Sequence, residues 1–174
     1  THQNERQSDT ARPPPRKLHC GRLHRTGGNR RTIVTQAFSK ITIHAPADAV
    51  WRVISDFGAA GRYLAGVVDC TVEGAGVGAL RTLTSADGSA IVERLERLDP
   101  ASQRLSYALL TDTPFSNCLT TMAVRDLGSN QAELTWSATF EPDGLPESEA
   151  VDLLEGALAE NCLVLKQYME AGRN

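Results

Sequence analysis

Apolar residues recur at spacings of three and four near the end of the chain, which is the period of an amphipathic helix. The series is Val151, Leu154, Leu158, Cys162, Leu165 and Met169. Pro146 suits the first helical turn and Gly172 suits a stop, so the pattern predicts a helix over 146–172. A helix advances by about 100° per residue, which places four further residues beside this apolar stripe: Leu153, Ala157, Val164 and Tyr168. The apolar arc then covers about half of the circumference, and the polar Asn161 lies inside it.

Before this helix, the chain shows the alternation and turn residues typical of β-strands. The strand-length runs are 35–44, 67–73, 79–85, 90–98, 104–110, 117–127 and 131–140. Two short helical segments, 48–54 and 59–64, lie between the first two runs, and Asp87-Gly88 is a hairpin signal. This order predicts an α+β fold in which a curved, seven-stranded antiparallel sheet wraps around the long C-terminal helix.

Strand parity predicts which side chains face the helix. Most of them are apolar, but Arg81, Glu93 and Thr120 share these inward faces, and Asn161 faces them from the helix. An unpaired buried charge costs several kcal/mol, so these groups must pair or meet water. Two interpretations follow. The first is a buried Arg81–Glu93 ion pair among satisfied core polar groups. The second, which we favour, is a partly polar cavity between sheet and helix that accepts an amphipathic small molecule.

The N-terminal segment differs from the rest of the chain in charge. Residues 1–40 hold nine basic and two acidic residues, a charge of +7, so the total of −3 leaves −10 for the remainder. Residues 1–32 contain Pro13-Pro14-Pro15 and no apolar periodicity. We therefore predict a disordered basic arm over 1–32, followed by one folded domain over 33–172.

The residues of this arm give little support to three functions that a basic arm can have. Its charge would attract nucleic-acid phosphates, but it has no aromatic residue to stack on bases, and we expect no nucleic-acid partner. Its possible metal ligands, His19, Cys20 and His24, lack a fourth member. It also lacks the apolar core of a signal peptide. We favour a dispensable extension.

The remaining composition excludes several classes of protein. No apolar run approaches the roughly 18 to 20 residues of a membrane span. The four cysteines, Cys20, Cys70, Cys118 and Cys162, form no C-x-x-C pair, which indicates neither a disulfide framework nor a zinc site. The glycines at 74, 76 and 78 join two strands, which is the wrong context for a dinucleotide fingerprint. We expect a cytoplasmic protein without metal or cofactor.

Several segments resemble the START-like, helix-grip proteins of the SRPBCC superfamily. This superfamily includes polyketide cyclase/dehydrases, lipid-transfer domains, birch pollen allergens and plant abscisic acid receptors. The matching segments are ITIHAPADAVWRVISDF at 41–57, GVGALRTL at 76–83, ERLERLD at 93–99, RLSY at 104–107 and SN at 116–117. The resemblance extends over about 35–172. It implies a helix-grip fold with a hydrophobic ligand between the sheet and the C-terminal helix.

Residues 76–117 are especially similar to the abscisic acid receptors. The resemblance implies that Glu93 acts through water, that Arg81 is the inward arginine, and that Asn161 faces the ligand. It also implies wall positions at Tyr107, Leu109 and Thr120, and loops corresponding to the receptor gate and latch at 85–89 and 111–117. Two departures argue against hormone reception: Leu64 replaces the lysine that pairs with the hormone carboxylate, and the gate sequence is Ser-Ala-Asp-Gly-Ser.

The sequence thus predicts one ligand-binding set: Leu64, Arg81, Leu83, Glu93, Tyr107, Leu109, Asn117, Thr120, Leu153, Ala157 and Asn161. We favour the binding or carriage of a lipid, isoprenoid or aromatic polyketide. One alternative is a cyclase/dehydrase-type enzyme in which Glu93 is the acid or base and Arg81 stabilises an enolate. Another is an interaction protein whose cavity is filled by side chains. Monomer and homodimer both remain open.

Overall fold

The computed structural model of the protein describes residues 34–171. Its elements are β1 (Thr35–Ile43), α1 (Ala47–Ser55), a 3₁₀ helix (Phe57–Arg62), β2 (Val67–Glu73), β3 (Leu80–Ser85), β4 (Ala90–Asp99), β5 (Arg104–Leu109), β6 (Phe115–Gly128), β7 (Gln131–Pro142) and α2 (Glu147–Glu170). The predicted order is confirmed, and each boundary lies within two residues of its predicted position. The predicted basic arm, 1–32, lies outside the described residues.

The seven strands form one antiparallel sheet in the order β1-β7-β6-β5-β4-β3-β2. Strands β2 to β7 follow one another as a meander, and β1 pairs with β7. The segment containing α1 and the 3₁₀ helix therefore carries the chain from one edge of the sheet to the other. Gly88, with a φ of 84°, forms the tight turn between β3 and β4, as the Asp87-Gly88 pair predicts.

The core lies between the inner face of the sheet and α2. In β7, every second residue is buried: Ala132, Leu134, Trp136, Ala138 and Phe140. From α2, Leu158, Cys162 and Leu165 are buried against them, mainly where the helix crosses β1 and β7. The buried stripe is narrower than the predicted half of the helix. Leu153 and Tyr168 are 53% and 40% exposed, because the sheet contacts the helix on one side.

Polar side chains of α2 bind the free edge of β1. Glu155 accepts a hydrogen bond from the backbone N–H of Phe38 (3.4 Å), and Lys166 Nζ donates to the carbonyl oxygen of Thr42 (2.6 Å). Beyond the strand, Glu170 accepts from the backbone N–H of His44 (2.8 Å). This bond and the neighbouring Lys166 lower the pKa of Glu170 to about 2. The helix thus supplies partners to an edge that would otherwise be open to another chain.

We expect Leu165→Ala to lower the free energy of unfolding by about 2–5 kcal/mol, because it leaves a cavity at the centre of the contact between helix and sheet. Leu163→Ala, two residues away on the exposed side of α2, is the matched control and should change the value by about 0.5 kcal/mol or less. Urea denaturation of both variants measures the difference. Equal losses in both variants would mean that α2 does not pack as described.

Candidate functional site

Two opposite charges are buried between the inner face of the sheet and the 3₁₀ helix. Arg81 of β3 and Glu93 of β4 are directly opposite each other in the antiparallel register, and Arg81 Nε lies 2.6 Å from Glu93 Oε2. Their side chains are 1% and 11% exposed. Arg81 Nη1 also donates to the carbonyl oxygen of Phe57 (3.3 Å). The ion pair of the first interpretation is therefore present.

Aromatic rings enclose the guanidinium on two sides. Arg81 Cζ lies 4.3 Å from the ring centroid of Phe57 and 4.6 Å from that of Tyr107. The Tyr107 hydroxyl in turn accepts a hydrogen bond from Trp136 Nε1 (3.0 Å). Cation–π contacts of this kind stabilise a charge that has lost its water, so the rings and Glu93 together replace the solvation of Arg81.

Burial and pairing act in opposite directions on the two charged groups. Burial raises the pKa of Glu93 above its ordinary value, and the adjacent Arg81 opposes this shift without reversing it. Burial alone would lower the pKa of Arg81, but Glu93 and Tyr107 raise it above its usual range. Arg81 thus keeps its charge, and the pKa of Glu93 lies above its ordinary value.

A cavity of about 250 Å³ lies beside this pair, between the segment after the 3₁₀ helix, the β3–β4 hairpin and α2. Its lining comprises Leu64, Ala65, Val67, Leu83, Ser85, Ile91, Glu93, Tyr107, Ala157, Glu160 and Asn161. The two interpretations of the sequence are therefore both realised in part, because the ion pair is formed and one of its members also lines an open space. That this space receives a hydrophobic molecule stays a prediction.

Six of the eleven residues predicted for the site line this cavity: Leu64, Leu83, Glu93, Tyr107, Ala157 and Asn161. Arg81 and Thr120 are inward and buried but are not part of the lining. Leu153 is exposed and also outside it. Ala157 and Asn161 follow Leu153 at one-turn intervals, so the cavity borders only the middle of α2, over 157–161.

Leu109 and Asn117 lie elsewhere, at a separate hollow formed by the β5–β6 loop and Asp143. The segment similar to the receptor latch was expected over 111–117, but β6 already begins at Phe115, whose ring packs edge-on against Phe140 (5.3 Å). Asn117 then occupies a β-bulge with a φ of 51°. The loop expected over 111–117 is therefore corrected to 110–114, and Asn117 lies within β6.

The amide of Asn161 has a partner in the interior, as the sequence requires. Its Oδ1 accepts a hydrogen bond from the backbone N–H of Ala65 (2.9 Å), which ties the segment after the 3₁₀ helix to α2. Sequence reasoning did not name Ala65, Val67, Ser85, Ile91 or Glu160 as lining residues. Ile91 lies two residues before Glu93 on the same strand, so strand parity could have found it. A backbone donor such as Ala65 leaves no signal in the sequence.

Within residues 34–171, no group of three or more His, Cys, Asp or Glu side chains is arranged to hold a metal ion. None of the helices that the structure describes is long and apolar enough to cross a membrane.

A seven-stranded antiparallel sheet curved around a C-terminal helix, with a cavity beside that helix, is the helix-grip architecture of START-like proteins. The sequence profile of the polyketide cyclase/dehydrase and lipid transport family matches residues 33–170, and the chain belongs to that family. No protein in the curated set that was compared matches the sequence significantly.

Solved structures share the fold over most of their length. The protein XoxI of Bacillus cereus is 25% identical with a TM-score of 0.74, over 80% of this chain and 99% of XoxI. The Zhui aromatase/cyclase of Streptomyces sp. R1128 is 20% identical with a TM-score of 0.63, over 80% and 96% of the two chains. A norcoclaurine synthase point mutant of Thalictrum flavum is 18% identical with a TM-score of 0.66, over 82% and 98%. At these identities, the last two indicate the fold alone.

We expect Glu93→Ala to lower the free energy of unfolding by about 3–5 kcal/mol, because it leaves the Arg81 guanidinium buried without its counter-ion. Glu96→Ala is the matched control. Glu96 lies on the same strand and pairs with Arg94 at the same 2.6 Å, but both side chains are exposed, at 46% for Arg94 and 35% for Glu96. Its loss should cost about 1 kcal/mol or less. Similar losses for the two variants in urea denaturation would contradict the burial of the Arg81–Glu93 pair.

Proposed function

We propose that the protein binds a small apolar or amphipathic molecule, such as a lipid, isoprenoid or aromatic polyketide, in the cavity beside α2, and that it carries this molecule. The observation that carries the proposal is the composition of the cavity wall. Most of the lining residues are apolar, and the polar groups come from Ser85, Glu93, Tyr107, Glu160 and Asn161. This is the usual pattern of a small-molecule site. Membership of a family that includes lipid-transport proteins supports the same function.

The volume of the cavity limits the size of the ligand. Sites for drug-sized molecules usually measure about 300–1,000 Å³, and the cavity of about 250 Å³ lies just below that range. A molecule of up to three rings, or a short chain, is about the largest that fits it without rearrangement. A larger ligand requires the walls to open, and the β3–β4 turn beside Ser85 is the segment that we expect to move.

The open space beside Glu93 argues against an interaction protein whose cavity is filled by its own side chains. Enzymatic activity is the stronger alternative, and one observation favours it. The raised pKa of Glu93, next to a charged Arg81, is the combination that an acid or base with a carbonyl-polarising partner requires. In a cyclase or dehydrase, Arg81 would stabilise a developing enolate while Glu93 transferred a proton.

To test binding, we expect Ala157→Phe to reduce the affinity for the neutral fluorescent probe N-phenyl-1-naphthylamine at least tenfold, because the added ring occupies the cavity. Ala159→Phe, two residues away on the exposed side of α2, introduces the same ring outside the lining and should leave the affinity unchanged. Fluorescence titration of both variants and the wild type gives the comparison. Undiminished binding to Ala157→Phe would place the probe elsewhere and refute the proposed site.

Glu93→Gln separates a carrier from an enzyme, because the amide keeps an acceptor for Arg81 but cannot exchange a proton in the same way. For a carrier, the affinity for the probe should change by less than about tenfold, since the net contribution of one hydrogen bond is about 1 kcal/mol. For an enzyme, turnover of a polyketide-like substrate should fall by about 10²–10⁴-fold. Measured turnover by the wild type that disappears in this variant would replace the carrier proposal with the enzyme.

A further inference from the structure

The cavity beside α2 is lined by two carboxylates and, among the residues that the structure describes, by no basic side chain. Glu93 is buried, whereas Glu160 of α2 is exposed and lies with the exposed Ala157 at the mouth of the cavity. An ionised carboxylate accepts hydrogen bonds but cannot donate one. The charged groups of the wall therefore offer acceptors only, and they suit a ligand that brings donors.

The two carboxylates differ in whether a positive charge balances them. Arg81 Nε lies 2.6 Å from Glu93 Oε2, so the charge of Glu93 is neutralised. No ion pair within residues 34–171 involves Glu160. Arg81, Glu93 and Glu160 together therefore retain one negative charge, and it lies on Glu160 at the mouth of the cavity.

Glu160 also differs in position from other glutamates of α2. Glu147 accepts a hydrogen bond from the Thr35 hydroxyl (2.9 Å), and Glu155 accepts one from a backbone N–H of β1. Glu160 projects about 140° from Glu155 around the helix, since each residue advances by about 100°. Its neighbours on that side, Ala157 and Asn161, line the cavity with it. Its charge thus acts on the contents of the cavity and not on β1.

The walls of the cavity strengthen the effect of this charge. A cleft with apolar, low-dielectric walls and charges of one sign focuses the electric field of those charges. Most of the lining residues are apolar. Residues 41–174 carry a charge of −10, since the total is −3 and residues 1–40 carry +7, so the rest of this part of the chain adds to the negative potential. A carboxylate at the mouth is therefore repelled, whereas an ammonium group is attracted and donates to Glu160.

We propose that Glu160 binds the positively charged end of the ligand at the mouth of the cavity, so that the preferred ligands are amphipathic amines. Such a ligand has an apolar body inside the cavity and one protonated nitrogen at its edge. This inference rests on the proposed function, because it assigns a charge to the polar end of a molecule bound in the same cavity. It makes Glu160 a residue that determines specificity between amines, alcohols and carboxylic acids.

Three naphthalene probes that differ in the group on a one-carbon arm test this preference in calorimetric titrations of the full chain: 1-naphthylmethylammonium, 1-naphthylmethanol and 1-naphthoate. At low salt, the wild type should bind the ammonium about two- to fivefold more tightly than the alcohol, as expected for an exposed ion pair, and the carboxylate most weakly. In 1 M salt, where the Debye length is about 3 Å, the ammonium and the alcohol should bind alike.

Glu160→Gln removes the charge and keeps the shape of the side chain. It should weaken the binding of the ammonium about two- to fivefold, strengthen that of the carboxylate and leave the alcohol unchanged. Glu149→Gln is the matched control, because Glu149 is an exposed glutamate of α2 outside the cavity lining. It lies about 16 Å from Glu160 along the helix, at 1.5 Å per residue. It makes the same change in net charge and should alter none of the three affinities.

Ala157→Phe locates the probes, and it should weaken the binding of both the ammonium and the alcohol at least tenfold. Equal affinities of the wild type for the ammonium and the alcohol at low salt overturn the inference. So does an ammonium affinity that is unchanged in Glu160→Gln, equally reduced in Glu149→Gln, or undiminished in Ala157→Phe. In each of these cases, binding of the alcohol that Ala157→Phe weakens leaves the proposed function intact. If neither the naphthalene probes nor N-phenyl-1-naphthylamine binds, the proposed function and the inference fail together.

Discussion

The cost of burying one positive charge shapes the region between the sheet and the 3₁₀ helix. Arg81 lies on the inner face of β3, and removing a guanidinium from water is tolerated only when other groups replace its solvation. Glu93 opposes it in register, the Phe57 carbonyl accepts a second bond, and two aromatic rings enclose it. Such a cluster cannot be packed as a plain hydrocarbon core. The hydrogen bonds and ion pair of its polar groups require specific directions. An open space remains on the side of the cluster that faces α2.

The helix is held apart from this cluster by contacts of two kinds. On one side, Leu158, Cys162 and Leu165 are buried against the sheet, and polar side chains of α2 bind the edge of β1. On the other side, Asn161 accepts a hydrogen bond from the backbone of Ala65. The cavity lies between these two anchors. Because Ala65 and Asn161 both line the cavity, this hydrogen bond joins two of its walls without any ligand.

Much of this arrangement could be predicted from the sequence, because it depends on local periods. The 3.6-residue repeat located α2, and the alternation within strands placed Arg81, Glu93 and Thr120 on inward faces. The predictions that were wrong depended on the curvature of the sheet and on local breaks in the hydrogen bonding between its strands. Leu153 has the same helical phase as Ala157 and Asn161, yet it lies beyond the reach of the sheet and is exposed. Asn117 lies at an irregularity of β6 and lines a separate hollow. The contribution of the Ala65 backbone could be found only once the chain was folded.

The central claim is that the buried Arg81 pairs with Glu93, and that Glu93 lines a cavity that an apolar molecule can enter. Nitrogen-15 NMR of the arginine Nε–H groups tests it most directly, because Arg94 provides an exposed arginine with an equally short ion pair in the same protein. We predict that the Nε–H of Arg81 exchanges with water far more slowly than that of Arg94, and that only the Arg81 resonance shifts when N-phenyl-1-naphthylamine is added. Rapid exchange at Arg81, or an Arg81 resonance unchanged at saturating probe, would contradict the account.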